Sequence, residues 1–232
     1  MASELRSRTV SAIVLAAVVL AATWIGGLPF SIVAALIALL IYYEWSTVTG
    51  LADRNFKANA FGWLVIALIA GDLVFGDADL AMGLLGGGTI TAMLIAALGR
   101  GSWWLPGGIV YAGLSGISLA AIRGDNQAGL VATLFIFAVV WGTDIFAYFV
   151  GRALGGPKLA PRISPGKTWS GALGGAFAGV AASSLLTLGV FSRLSLFTAA
   201  VAFLLSVASQ IGDLFESFIK RRFRVKDSGH LI

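Results

Sequence analysis

The sequence predicts an all-α protein, a polytopic bundle of about eight transmembrane helices. Three observations carry that reading. Of the 232 residues 58% are hydrophobic and only 12% charged, against about 25% charged in a soluble domain. Apolar stretches near the ~20 residues needed to cross a hydrocarbon core recur along the chain. Lysine and arginine collect in alternate connections between those stretches. A water-soluble globule with a mean hydropathy of +0.92 would expose large apolar patches, so lipid is the simpler solvent.

The spans follow in order. Residues 1–9 are polar, with Arg6 and Arg8, and an apolar run begins at Val10. A cleavable signal peptide opens the same way, but Trp24-Ile25-Gly26-Gly27 lacks a clear small-x-small cleavage site. Spans are expected at about 10–26, 29–48, 59–76, 79–98, 104–122, 127–151, 169–190 and 195–218, the first of them short. Gly26-Gly27-Leu28-Pro29 supplies a tight hairpin after the first. Gly86-Gly87-Gly88 and Gly174-Gly175 are expected to let helix backbones approach closely. The absence of cysteine rules out disulfides and thiolate metal sites and leaves the redox compartment undecided.

Orientation follows from the cations. With the N-terminus in the cytoplasm, Arg123 and Arg193 are the only outer members of the 16 Lys and Arg. The outer connections carry Asp77, Asp79 and Asp125 instead. The opposite orientation would grossly violate the positive-inside rule. An integral membrane protein with a cytoplasmic N-terminus, in a bacterial plasma membrane, is the expected setting. No linker, repeat or low-complexity tract marks a second domain. The polar chemistry nevertheless divides the chain: residues 1–126 read as scaffold spans, and residues 127–232 as spans and loops carrying the functional groups.

In the first five spans only Glu44 and Asp72 stand out, and both read as interfacial. The last three differ. Asp144 lies two turns inside the inner end of span six, and Tyr148, four residues on, shares its face. An acid inside a membrane helix usually faces a polar cavity or a partner group. The following loop holds Arg152, Lys158, Arg162, Ser164, Lys167 and Thr168. Its Ser164-Pro165-Gly166-Lys167-Thr168 combines hydroxyls, a turn and a cation, which suits phosphate oxygens. It is not a Walker A loop, because position 161 is Pro where the pattern needs Gly. In span eight, Asp213, Glu216, Ser217 and Lys220 fall at i, i+3, i+4 and i+7 and so line one face. Arg221, Arg222, Arg224, Lys226 and Asp227 follow. Carboxylates flanked by cations fit a site for phosphate and metal, whereas a polybasic lipid anchor explains only the cations.

Several of these segments resemble the phosphatidate cytidylyltransferase (CDP-diacylglycerol synthase) family. Ser217-Phe-Ile-Lys220-Arg221 followed by Lys226-Asp227-Ser-Gly229 is similar to its S-x-x-K-R-x(4)-K-D-x-G pattern. Ser209-Gln-Ile-Gly-Asp213-Leu-Phe-Glu216, the stretch from Trp141 to Arg152 and Ile163–Thr168 resemble further family segments in the right order. The family often has Lys and Glu where this chain has Gly166 and Ser170. The family pattern also runs on into Pro-Gly-His-Gly-Gly and Asp-Arg-x-Asp segments. Here the last residues are His230-Leu231-Ile232, and His230 lies before the expected histidine. The expectation is therefore of a chain lacking a final span and part of the metal site.

The resemblance implies nucleotidyl transfer from CTP to phosphatidate, giving CDP-diacylglycerol and pyrophosphate at the inner membrane surface. It implies Mg²⁺, with a second cation left open, and CTP, phosphatidate and membrane lipid as partners. No nucleic acid is implied, and a homodimer is left open. It points to Asp213, Ser217, Lys220 and Arg221 as catalytic residues. Ser164, Lys167, Thr168, Tyr148 and Lys226 would bind substrate, and Asp227, Asp144 and Glu216 would hold metal. Two other readings stay open: a CTP-dependent polyprenol kinase, and a secondary transporter using Asp144 and Asp213 as intramembrane ion sites.

Overall fold

The computed structural model describes residues 2–76, 79–192 and 195–225. Nearly all of them are helical: α1 (Ala2–Ile25), α2 (Gly27–Val48), the short α3 (Leu51–Arg54), α4 (Phe56–Phe75), α5 (Asp79–Ala97), α6 (Trp104–Arg123), α7 (Gln127–Leu154), α8 (Trp169–Phe191) and α9 (Leu196–Arg222). Among the described residues, seven helices are long and apolar enough to cross a membrane, and the apolar part of α1, Thr9–Ile25, falls just short. The protein is an integral membrane protein.

Two features depart from the expected pattern. Between α7 and α8 the chain forms an antiparallel hairpin of β1 (Lys158–Ala160) and β2 (Ser164–Thr168), with Lys158 opposite Thr168 and Ala160 opposite Ser164. The Ser164–Thr168 segment, expected as a turn, is thus a strand; the turn lies at 161–163, closed by Ile163 N–H donating to Ala160 O at 3.1 Å. Pairing with β1 gives this polar backbone the partners it needs. The helices also outrun their apolar windows. α7 ends at Leu154, where Gly155 takes φ +61°, and α9 continues to Arg222 through its basic last turn. Helical hydrogen bonds do not require apolar side chains, and cations at a helix C-terminus favour its dipole.

The described residues form two compact units, 2–130 and 131–225. In the first, α2 packs on α4 and α6, and α5 packs on the same two helices. Small residues set the spacing: a Cβ on Gly116 of α6 would stand 2.9 Å from Ala38 Cβ and 3.1 Å from Ala34 O of α2. Several polar groups inside are matched, whereas Asp72 Oδ2 and Thr89 Oγ1 are buried without a hydrogen-bond partner among the described residues. Tyr42 Oη donates to Asn59 Oδ1 at 3.3 Å, and Trp45 Nε1 donates to Trp104 O at 2.8 Å. Gly88 does meet Val65 across α4 and α5, but a Cβ on Gly86 or Gly87 would touch nothing within 4 Å. Only one of those three expected contact glycines therefore meets another helix among the described residues.

In the second unit α7 and α8 cross at backbone distance. A Cβ on Gly175 would lie 2.6 Å from Thr143 O, and one on Gly171 2.6 Å from Ala147 O. Gly171, Gly175 and Gly179 recur every fourth residue and so form one stripe on α8. α9 is tied in by the buried hydroxyl pair Thr143 Oγ1 and Ser206 Oγ, 2.7 Å apart.

Candidate active site

The second unit holds a cavity of about 590 Å³ whose wall comes from α7, the hairpin, the first turn of α8 and α9. α7 contributes Asp144, Tyr148 and Arg152; the hairpin contributes Lys158, Lys167 and Thr168; α9 contributes Gln210 and Asp213. Gly155, Gly156 and Gly166 complete the wall as side-chain-free backbone, and a Cβ on any of them would meet nothing within 4 Å. Gly155 and Gly156 have φ of +61° and +99°, a conformation that glycine adopts without a Cβ penalty.

Local chemistry explains how each group is placed. Thr168 is the N-cap of α8, its Oγ1 accepting from Gly171 N–H at 3.1 Å. The same hydroxyl lies 3.0 Å from Ser170 Oγ, which donates to Gly155 O. The cap therefore pins the α7–hairpin junction to the start of α8. The positive end of the α8 dipole borders the cavity as a result. Lys167 Nζ sits 2.7 Å from Asp213 Oδ2, joining β2 to α9. Arg152 Nη1 donates to Tyr148 Oη at 2.9 Å, one helical turn apart. Gln210 Nε2 donates to Ala172 O at 3.2 Å, locking α9 against the first turn of α8.

The cavity brings together Asp144, Tyr148, Lys167, Thr168 and Asp213 from the residues singled out in the sequence. Others stand elsewhere. Glu216 forms an ion pair with Lys220 along α9, and neither lines the cavity. Arg221 Nε donates to Ile163 O at 3.4 Å, so it braces the hairpin turn. Ser164 and Ser217 are also outside the lining. Lys226 and Asp227 lie outside the described residues. Three polar lining residues are not among those the sequence singles out for a role: Arg152 and Lys158, which look like ordinary loop cations, and Gln210. Two of them have a local signal. Arg152 is four residues from Tyr148, and Gln210 is three from Asp213, so each shares its neighbour's helix face. The approach of Lys158 depends on strand pairing and has no local signature.

Two carboxylates, three cations and a helix N-terminus around one cavity suit a polyanion carried with a metal ion. Among the described residues no group of three or more His, Asp and Glu converges as a self-sufficient metal site. Mg²⁺ seldom needs one, since one or two carboxylates together with substrate phosphates commonly hold it. Asp144 and Asp213 fit that requirement.

Known proteins share this sequence pattern. The model of the cytidylyltransferase family matches residues 6–232. A phosphatidate cytidylyltransferase of Brucella abortus biovar 1 (strain 9-941) is 45% identical over 232 residues, covering 99% of this chain and 85% of that protein. Those of Haemophilus influenzae and Bacillus subtilis (strain 168) are 40% and 37% identical over 133 and 124 residues. These shorter matches cover 52% and 53% of this chain and 44% and 46% of those proteins.

Proposed function

The chain belongs to the cytidylyltransferase family, and we propose that it makes CDP-diacylglycerol and pyrophosphate from CTP and phosphatidate. A phosphate oxygen of phosphatidate bonds to the α-phosphorus of CTP. The bond from that phosphorus to the bridging oxygen of the β-phosphate breaks, and pyrophosphate leaves with the electron pair. The observation that carries the reading to this site is the single cavity in which Asp144 and Asp213 face Arg152, Lys158 and Lys167.

Lys158 and Lys167 neutralise the triphosphate, aided by the α8 N-terminus. The bare backbone of Gly155, Gly156 and Gly166 lets phosphate oxygens come close. Arg152, steadied by Tyr148, meets the lipid phosphate. Asp144 and Asp213 are the proposed Mg²⁺ carboxylates, with Asp227 joining them on the strength of the resemblance alone. Bound with the phosphates, Mg²⁺ would neutralise charge and favour in-line geometry. Glu216, engaged with Lys220, leaves the proposed metal set. Positioning and charge neutralisation do the chemical work in such transfers. The kinase and transporter readings have no observation that favours them.

The test is direct. The protein in phosphatidate-containing nanodiscs with CTP and Mg²⁺ should release pyrophosphate and form CDP-diacylglycerol, and chelation should stop it. Asp213→Asn and Asp144→Asn should each lower turnover by about a thousandfold with normal expression. Transfer of the γ-phosphate to a lipid alcohol, without lipid-linked CMP, would replace this reading with the kinase one.

We also propose that the cavity opens to the cytoplasm of a bacterial cell. The charge asymmetry supports this, because Arg152, Lys158, Arg162, Lys167 and the Lys220–Arg224 cations belong to the cavity-bearing end of the second unit. In sealed right-side-out vesicles a cysteine at Asp125 should label and one at Lys167 should not. Reversed labelling would reject the orientation.

A further inference from the structure

The Lys167–Asp213 contact places two groups against each other that the proposed reaction needs apart. It is the one ion pair among the described residues that lies in the cavity wall, with Nζ to Oδ2 at 2.7 Å. It joins residues 46 apart in sequence, one on β2 and one on α9. Nor is it a buried structural pair, since the side chains are 31% and 48% exposed. An ion pair this open to solvent is weak and exchanges readily with other partners. Asp213 would serve a cation and Lys167 a phosphate, so each occupies the other's charge while the pair stands. Among the described residues, that leaves Asp144 as the only other carboxylate in the wall. One carboxylate is a poor divalent-cation site by itself.

We infer that Lys167 is an internal counter-ion for Asp213, a positioning residue that keeps the metal carboxylate occupied until nucleotide phosphate draws the ammonium away. This inference rests on the reading of the cavity as the CTP and metal site, and adds an order to it. Cation and nucleotide bind as a coupled pair, because the phosphates that attract Lys167 also release Asp213. Coupling of this kind is reciprocal: nucleotide strengthens cation binding by the factor that the cation strengthens nucleotide binding. The consequence runs against intuition. Deleting a cavity cation, which should weaken CTP use, should strengthen binding of the bare metal ion.

The experiment titrates Mn²⁺ into the full chain in nanodiscs without nucleotide and reads free Mn²⁺ by its paramagnetic resonance signal. Lys167→Met, of similar length but uncharged, should bind Mn²⁺ about fivefold more tightly than wild type. Lys167→Arg retains the charge and should bind like wild type. Adding Asp213→Asn to Lys167→Met should remove the gain. Unchanged or weaker binding by Lys167→Met overturns the inference, as does equally tight binding by Lys167→Arg, which would mean that disturbance of the hairpin was responsible. The same preparations are assayed for CDP-diacylglycerol. Product from wild type with no gain in Lys167→Met rejects the counter-ion role alone. No product from wild type rejects the functional reading beneath it.

Discussion

The two units solve the problem of holding helices together in lipid by different means. In the first, large side chains pack around small-residue contacts such as Gly116: α4 and α6 each have 44% of their apolar window buried, around Tyr42, Trp45, Ile66, Ile69 and Ile109. In the second, α9 has only 11% of its window buried. There the helices are joined by backbone contact along the glycine stripe of α8 and by single polar ties such as Thr143 to Ser206. Lipid tails are as apolar as leucine, so packing without a hydrophobic drive must come from close fit or hydrogen bonds. A region held by a few close points can leave space between helices, and the cavity occupies that space.

Glycine substitutions should break this comparison most sharply. Gly175→Leu would force a side chain into Thr143 O, where even a Cβ stands at 2.6 Å. It should destabilise the second unit by about 3 kcal/mol and abolish turnover. Gly86→Ala meets nothing within 4 Å and should be neutral or stabilising by roughly 0.5–1 kcal/mol, since alanine favours the helix. Thermal unfolding followed by size-exclusion profile separates the two. Equal losses would mean that the glycine stripe has no special role.

The next effect belongs to the first unit, which buries a guanidinium. Arg123 is 4% exposed, with Nε donating to Thr23 O at 2.6 Å and Nη2 to Trp24 O at 3.4 Å. Nη1 donates to Gly124 O at 3.0 Å. The guanidinium therefore caps the C-terminus of α1, where a cation also meets the favourable end of the dipole. Arg123→Met should cost about 2 kcal/mol by leaving those carbonyls unpartnered, and Arg123→Lys should recover only part of it, because the planar fork is lost. Proteolytic release of the N-terminal helix would report the loss. A variant as resistant as wild type would remove the cap from the account.

The smallest predicted effect sharpens the cavity side. Thr168→Ala removes the N-cap of α8 and should cost about 1 kcal/mol, with Thr168→Ser close to wild type. Because the capped turn borders the cavity, the apparent KM for CTP should rise in the alanine variant and recover in serine. A KM unmoved by alanine would show that the cap and the site are independent.

How much of the molecule is legible in its sequence depends on the range of the interactions. Hydropathy is a property of local sequence summed over about twenty residues, so the spans can be read directly. The helical periodicity that puts Asp213 on the face of Glu216, Ser217 and Lys220 likewise needs no tertiary information. Asp144 announces itself because an acid in an apolar run is costly unless it faces a cavity or a partner. What one helix face cannot reveal is which of its groups is taken by which partner. Glu216 and Lys220 pair with each other, Arg221 reaches the hairpin, and only Asp213 among the four stripe residues lines the cavity. The hairpin looks like a loop in the sequence because its strands are three and five residues long, too short for a two-residue period to show. The sequence by itself determined that this is a membrane protein with its charged chemistry concentrated in the last three spans. The tertiary structure alone decided that Lys167 meets Asp213 and that Lys158 shares their cavity. Burial in lipid depends on composition, whereas a site depends on distances between residues that the chain keeps far apart.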